Sequence, residues 1–143
     1  MITKKFNYLP EDARLIRNEV FVKEQGFKDE FDEIDDIATH IVIYDKESPI
    51  STCRFYFHIK KESYVIGRIA VIKEYRGNNI GAGMLTFVEE SIKIKGGKSV
   101  MLSAQVRVAT FYEKQGYQMQ GEEYLDEDCP HIWMEKKLQE KEI

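Results

Sequence analysis

The sequence predicts one α/β domain built on a mixed β-sheet. Three observations lead to this fold class: a series of β-rich segments separated by turn residues, later strand–helix–strand segments, and a composition typical of globular proteins. The chain has 143 residues, of which 43% are hydrophobic and 32% charged, which suits one domain with a buried core. A meander predicts antiparallel pairing and strand–helix–strand units predict parallel pairing, so we expect both in a single domain over residues 1–143.

The N-terminal part predicts a short strand, ITKKFNYL, and then a helix, PEDARLIRNEVFVKEQ. Pro10 and two acidic residues suit the start of this helix, and Gly26 suits its end. Apolar side chains recur along it at helical spacing, at Ala13, Ile16, Val20 and Phe21. The acidic connector, KDEFDEIDD at residues 28–36, follows with six Asp and Glu side chains. Its interleaved Phe31 and Ile34 predict an ordered flap.

Three β-rich segments form the predicted meander, Thr39–Asp45, Ile50–Ile59 and Tyr64–Val71. Their β-branched and aromatic side chains favour strands, and the turn sequences KESP and KKES separate them.

The sequence of the second half of the chain predicts two strand–helix–strand units. A helix carries apolar residues at every fourth position and ends at Gly96-Gly97, with Ile80, Met84, Val88 and Ile92 on that face. The buried strand KSVMLSA, the short helix VRVATFYEKQ closed by Gly116, and two last strands, YQMQGE and HIWMEKKL, complete the order.

Charge and composition exclude several function classes. The net charge of −4 and the scattered basic residues argue against nucleic acid, which requires a basic surface. No apolar run is long enough for a membrane span, and the N-terminus lacks a signal-type apolar core, so we expect a cytoplasmic protein. Cys53 and Cys129 form no CxxC pair, so we expect two reduced thiols and no metal.

The stretch EYRGNNIGAGML lies between the third meander strand and the following helix. The first N–H groups of a helix lack intrahelical partners and attract anions. Three glycines, Gly77, Gly81 and Gly83, would let an anion approach the backbone, and Arg76 adds a suitable charge. On spacing alone, glycines that serve close helix–sheet packing explain the stretch equally well.

The stretch resembles the acetyl-CoA loop of the GNAT superfamily of N-acetyltransferases. That pattern is Arg or Gln, two free positions, Gly, one free position, then Gly or Ala; here it reads RGNNIG from Arg76 to Gly81. IGRIAVIKEY resembles the family's central strand and ATFYEKQGY its second motif. VFVKEQGF, DEIDDIATHIV and GEEYLDEDCPHIWMEKKL resemble the ElaA-like branch. The resemblance covers nearly the whole chain and implies a central sheet of six to seven strands flanked by about four helices.

The resemblance also implies coenzyme contacts. Backbone of the central strand would line the pantetheine arm, the loop would hold the pyrophosphate, and the second motif would add further contacts. The implied coenzyme-binding residues are Ile69, Ala70, Val71, Arg76, Gly77, Asn78, Asn79, Ile80, Gly81, Ala82, Gln105, Phe111, Tyr112 and Lys114. Asn79 replaces a glycine of the loops that it resembles, and asparagine tolerates left-handed backbone angles better than other non-glycine residues.

The implied reaction moves an acetyl group from acetyl-CoA to a primary amine of a small molecule or peptide, by direct attack on the thioester. Tyr112 would protonate the departing thiolate, since a phenol with a pKa near ~10 is protonated at neutral pH. The backbone N–H of Val71 would bind the oxyanion. Alternatively, Phe111 and Tyr112 are the buried face of a helix.

The general base and the acceptor site stay open. His40 or Glu33 is the candidate base, with Asp35, Asp36 and His131 as further candidates. Arg54, Arg68 and His131 are candidate substrate residues, although a buried arginine needs a partner and these arginines can instead pair with carboxylates of the acidic connector.

The connector would attract a cationic amine, or it is a solvated run of charges. A non-catalytic acyl-CoA-binding or interaction module on the same fold, a longer acyl chain, and pairing of two chains into a homodimer are the alternatives that the sequence leaves open.

Overall fold

Seven strands form one mixed sheet in the computed structural model, which describes residues 1–139. The strands are Ile2–Phe6 (β1), Thr39–Asp45 (β2), Ser48–His58 (β3), Ser63–Val71 (β4), Ser99–Gln105 (β5), Gln118–Asp126 (β6) and Cys129–Lys137 (β7). They are hydrogen-bonded in the order β1-β2-β3-β4-β5-β7-β6. The α-helices are Glu11–Arg17 (α1), Ile80–Ile94 (α2) and Ala109–Lys114 (α3). The predicted α/β class with a mixed sheet is confirmed.

The chain divides into two compact units. The first unit consists of residues 1–56 and 67–86, and the second consists of residues 57–66 together with the chain from residue 87. Strands β3 and β4 and helix α2 contribute residues to both units. The single domain over residues 1–143 stays a prediction.

The first unit contains the predicted N-terminal strand and part of the meander. Strand β1 pairs antiparallel with β2, from Ile2 opposite Tyr44 to Phe6 opposite His40, and β2 pairs antiparallel with β3. Its core combines α1 and the turn after it with inward-facing residues of β2 and β4. The buried members are Ala13, Ile16, Val20, Phe21, Val42, Tyr44 and Ala70.

The predicted first helix changes type halfway. Residues Glu11–Arg17 are α-helical, and Asn18–Glu24 form a π-helical continuation. The wider turn of a π-helix accompanies burial of two adjacent side chains, Val20 and Phe21, which are both in the core. The helix ends at Glu24, two residues before Gly26, the predicted terminator, which has a φ of +78° that glycine adopts without steric penalty.

The second unit contains the predicted parallel pairing. Residues Tyr64–Ile66 of β4 pair in parallel with Val100–Leu102 of β5, and β5 pairs antiparallel with β7. A tight turn after α2 depends on Gly97, because a Cβ there would collide with the Ile92 side chain.

Strands β6 and β7 form a hairpin that is longer than predicted. We expected strands at residues 117–122 and 131–138, but β6 continues to Asp126 and β7 begins at Cys129. The two turn residues, Glu127 and Asp128, both have positive φ, at +47° and +64°, as a type I′ turn requires. Every residue of β6 is exposed, so no buried apolar side chain marks where this strand ends.

Candidate functional site

The segment from β4 to α2 forms an exposed loop with two left-handed bends. Gly77 has a φ of +84° and Asn79 a φ of +60°, so Asn79 adopts the conformation that its glycine counterparts allow at lower cost. Helix α2 begins at the next residue, Ile80, which is buried. Residues 76–82, here called the phosphate loop, therefore comprise the turn and the first three residues of a 15-residue helix, whose N-terminus favours anions.

Hydrogen bonds fix the approach to the phosphate loop. The Asn78 side-chain amide donates to the Tyr75 carbonyl at 3.1 Å, and the Tyr75 hydroxyl donates to Asp45 at 2.7 Å. At the end of β4, the Ser51 hydroxyl donates to the Ala70 carbonyl at 2.9 Å. The backbone that the resemblance assigns to coenzyme binding is thus held by side chains from β2, β3 and the loop itself.

Arg76 contacts a carboxylate that the sequence did not indicate. Its two terminal nitrogens donate to the Glu24 carboxylate at 2.7 and 2.8 Å, and its Nε donates to the Val71 carbonyl at 2.9 Å. The side chains of Arg76 and Glu24 are 40% and 38% exposed. The hydrogen bonds and charge of Glu24 raise the pKa of Arg76.

The acidic connector is held by arginines of the first unit. Arg17 is 1% exposed and donates to Glu30 at 2.8 Å and to Asp35 at 2.7 Å. It also donates to the Glu30 carbonyl at 3.0 Å. Asp32 caps the 3-10 turn Glu33–Asp36, and Asp35 bonds back to the Asp32 N–H. The predicted ordered flap is therefore observed, and three of its six carboxylates, Glu30, Asp32 and Asp35, form ion pairs with arginines.

Arg54 and Arg68 complete this arrangement, here called the connector ion network. Arg54 donates to Asp32 at 2.6 Å and to Asp35 at 2.8 Å, and Arg68 contacts Glu30 at 3.0 Å and Asp32 at 3.3 Å. Of the two alternatives for these arginines, pairing with the connector is therefore observed. Arg68 has a φ of +53°, a conformation that costs energy for a side chain with a Cβ, and its ion pairs hold it there.

The network shifts the pKa values of its members. Burial alone would raise the pKa of Asp35, but the hydrogen bond and charge of Arg17 and the hydrogen bonds from Arg54 and the Asp32 backbone outweigh it and lower the pKa to about 2. For Asp32, burial is likewise outweighed by Arg54 and Arg68, and its pKa is lowered. Both carboxylates are thus ionised at neutral pH.

The two candidate bases lie in different surroundings. His40 is 1% exposed, its Nε2 is 2.9 Å from the Asp35 carbonyl, and burial lowers its pKa despite the nearby Asp35. It is therefore a neutral imidazole tied to the connector backbone. Glu33 is exposed on the 3-10 turn. The assignment of the base stays a prediction.

In the second unit, Tyr112 lies on α3 and is 8% exposed, whereas the adjacent Phe111 is 37% exposed. The Tyr112 ring meets the rings of Phe111 and Tyr117 edge to face, at centroid distances of 5.1 and 6.2 Å. Tyr117 in turn donates to Glu89 at 2.9 Å. Only one of the two aromatic residues is therefore buried, and the role of Tyr112 as the acid stays a prediction.

The remaining candidates in the second unit are placed by β5, α3 and β7. Gln105 ends β5, accepts a hydrogen bond from Arg107 at 3.0 Å, and is paired in register with His131. His131 is 8% exposed, and its Nδ1 is 2.8 Å from the Cys129 carbonyl. Lys114 is exposed at the end of α3.

The described residues give no indication of a metal site or a membrane span. Within residues 1–139, no three His, Cys, Asp or Glu side chains are grouped as metal ligands would be. No helix in the same range is both long and apolar enough to cross a bilayer. Cys53 and Cys129 are free thiols, and burial raises the pKa of Cys53, so this thiol is unreactive.

Sequence reasoning missed two residues of the first unit. Arg17 lies four positions after Ala13 and directly after Ile16, on the buried face of the predicted helix. A charged side chain on that face could have indicated a buried ion pair. Glu24 had no such signal, because its partner Arg76 is 52 residues away and the pair forms only in the folded chain.

Comparison with known proteins agrees with this geometry. A family model described as an acetyltransferase (GNAT) domain matches residues 8–138. The uncharacterized N-acetyltransferase YjcF of Bacillus subtilis is 36% identical over 130 residues, covering 88% of this chain and 91% of that protein.

Two solved structures are also similar. A protein of Lactobacillus plantarum, provisionally described as an N-acetyltransferase, has a TM-score of 0.86 at 28% identity and covers 97% of this chain and 100% of its own. Escherichia coli ElaA has a TM-score of 0.84 at 26% identity, covering 95% of this chain and 99% of its own. The chain therefore belongs to the GNAT acetyltransferase family and is an acyltransferase, as the loop and the FYEKQGY motif predicted.

Proposed function

We propose that this protein transfers an acetyl group from acetyl-CoA to a primary amine of a small molecule or peptide. The observation that carries this proposal is the phosphate loop, in which left-handed bends at Gly77 and Asn79 lead into the 15-residue helix α2. Such a loop directs backbone N–H groups toward an anion. The pyrophosphate of coenzyme A is the anion that family membership favours.

The residues of the first unit fit this co-substrate. Gly77 to Ala82 would hold the pyrophosphate, and Arg76 would add its charge. Residues 69–71 at the end of β4 would bind the pantetheine arm through their backbone. A Cβ built at Gly77 meets no atom within 4 Å, so the glycine there is required by its φ and the space beside it is open to a ligand.

The proposed reaction is a direct attack on the thioester. The amine nitrogen bonds to the acetyl carbon, the carbon–sulfur bond breaks, the nitrogen loses one proton, and the coenzyme thiolate gains one. The Val71 N–H would bind the oxyanion and Tyr112 would supply the proton to the thiolate. Glu33, through water, or His40 would accept the proton from the amine; the exposure of Glu33 favours the former.

The acceptor site is proposed beside the connector ion network. The Nε of Arg54 is buried without a hydrogen-bond partner within residues 1–139, and a Cβ on Gly67 would stand 3.8 Å from it. This unsatisfied donor is what supports Arg54 as a substrate residue, and an acceptor oxygen would reach it only after the surrounding side chains move, since the atom is buried. Because Arg17, Arg54 and Arg68 already compensate three carboxylates, the connector gives only weak support to a strongly cationic acceptor.

The location and partners follow from the same proposal. A cytoplasmic enzyme acting on a small amine, with no nucleic acid or membrane as partner, suits the composition and charge. Pairing of two chains would leave this chemistry unchanged.

A screen of amine acceptors tests the proposal, with the readout being free thiol released from acetyl-CoA. We expect acceptor-dependent release by the wild-type protein and a loss of turnover of at least about tenfold in Tyr112→Phe, with coenzyme affinity retained. Tyr8→Phe is the matched control, because it removes the same hydroxyl from a tyrosine that is 58% exposed and is not among the proposed coenzyme-binding residues.

Two other results would point elsewhere. Coenzyme binding without turnover for any acceptor would favour the non-catalytic acyl-CoA-binding module. Unchanged turnover in Tyr112→Phe would remove Tyr112 as the acid. Since Asn79 adopts the left-handed conformation, its departure from the family pattern does not favour the module.

A further inference from the structure

Arg76, the side chain expected to meet phosphate, already binds a carboxylate. Three of its five N–H groups donate to protein oxygens: two to Glu24 and one to the Val71 carbonyl. The two bonds to Glu24 use one hydrogen from each terminal nitrogen. This is the paired arrangement with which a guanidinium recognises carboxylate or phosphate.

A phosphate that is bound by the same pair of N–H groups must replace the Glu24 carboxylate. Both anions present oxygen acceptors that suit the guanidinium fork, and only one of them fits between the terminal nitrogens. The bond from Arg76 Nε to Val71 uses a different edge of the guanidinium. It can therefore persist through the exchange and keep the side chain beside the phosphate loop.

We propose that Glu24 determines coenzyme affinity by competing with a coenzyme phosphate for the Arg76 guanidinium. The inference rests on the proposed function, since it takes the phosphate loop as the pyrophosphate site. It adds a residue 52 positions away in sequence, on the π-helical turn and outside the loop motif. Glu24 thus occupies the Arg76 guanidinium when no coenzyme is bound and lowers the affinity of the phosphate loop for coenzyme A.

The exposure of the pair makes this exchange feasible. Arg76 and Glu24 are 40% and 38% exposed, and exposed ion pairs have small net stabilities. The released Glu24 carboxylate can be solvated at once. Arg17 in the connector ion network is only 1% exposed and has no comparable freedom.

The test is the dissociation constant of coenzyme A for Glu24→Gln, measured by calorimetry. Glutamine keeps the size and removes the charge, so we expect coenzyme A to bind about two- to fivefold more tightly. Glu19→Gln is the matched control, because Glu19 lies on the same turn, is 61% exposed and pairs only weakly with Lys23 at 3.5 Å. Equal affinities of the two variants, or weaker binding by Glu24→Gln, would overturn the proposal.

A double-mutant cycle with Arg76→Gln adds a second readout. Competition predicts that losing Arg76 weakens coenzyme binding more in the Glu24→Gln background than in the wild type, because the Glu24 carboxylate no longer occupies the guanidinium there. Additive effects would contradict it. Pantetheine, which carries no phosphate, should bind Glu24→Gln and wild type equally.

The outcomes separate this inference from the proposed function. Coenzyme binding by the wild type that is unaffected by Glu24→Gln overturns the competition alone. No coenzyme binding by the wild type or any variant overturns both. A turnover assay should show a lower KM for acetyl-CoA in Glu24→Gln with kcat unchanged, a split that a merely structural role of Glu24 would not produce.

Discussion

Arg17 and Arg76 lie in the same compact unit and use the same chemistry at different depths. Arg17 is 1% exposed and binds Asp35, which is 5% exposed, whereas Arg76 and Glu24 are 40% and 38% exposed. Charges that are removed from water are strongly destabilising when one partner is lost, and exposed pairs contribute little. The buried contacts of Arg17 therefore stabilise the fold, whereas the exposed pair of Arg76 and Glu24 can separate when a ligand binds.

The largest expected effect is on the buried side of this comparison. Asp35→Asn leaves two guanidinium groups, of Arg17 and Arg54, without their shared charge. We expect the free energy of unfolding to fall by about 3–5 kcal/mol, measured by urea denaturation. Asp36→Asn, an exposed neighbour on the same turn, should change it by less than about 0.5 kcal/mol; similar losses in both variants would break the comparison.

The next effect is the pH dependence of stability that Asp35 confers. Its pKa is lowered from 3.8 to about 2 in the folded protein, so its contribution is fully present above pH 3.8 and is lost as pH falls through 2. The shift corresponds to a contribution of about 2 kcal/mol to the free energy of unfolding. The stability difference between wild type and Asp35→Asn should therefore shrink over this range, and a constant difference would contradict the pKa shift.

A smaller effect is expected in the phosphate loop. Gly77→Ala forces a Cβ into a backbone with a φ of +84°, which costs about 1–2 kcal/mol, and it should weaken coenzyme binding by shifting the loop. Gly83→Ala, within α2 and with open space around its Cβ position, should instead be stabilising by up to about 1 kcal/mol. Thermal unfolding with and without coenzyme A measures the stability and the coenzyme binding of each variant. Equal effects of Gly77→Ala and Gly83→Ala would show that position 77 does not require glycine.

The smallest effect belongs to the exposed pair. Glu24→Gln should change the free energy of unfolding by less than about 1 kcal/mol, and the change should diminish in high salt because exposed charges are screened. A loss of unfolding free energy as large as that of Asp35→Asn would show that Glu24 stabilises the fold in the same way as Asp35.

Local patterns in the sequence predicted most of the fold. Strand Thr39–Asp45 was predicted with its observed bounds, because it is rich in β-branched and aromatic residues and a turn sequence follows it. The π-helical continuation at Asn18–Glu24 was not predicted, since its residues keep helical spacing. The end of β6 was missed because its acidic residues lie on a strand that is exposed throughout.

In the candidate site, too, local features could be predicted from the sequence and long-range contacts could not. The left-handed bend at Asn79 was anticipated from residue type and position within the loop motif. The pairing of Arg54 with Asp32 and Asp35 was one of two alternatives, and only the folded chain distinguishes them. Glu24 was not anticipated, because a contact over 52 residues leaves no local pattern.

The most direct test of the central claim compares coenzyme A with pantetheine in a calorimetric titration of the wild-type protein. The phosphate loop as pyrophosphate site predicts saturable binding of coenzyme A, and binding of pantetheine that is weaker by about tenfold or more. Equal affinities, or no binding of coenzyme A at millimolar concentration, would contradict the assignment of residues 76–82.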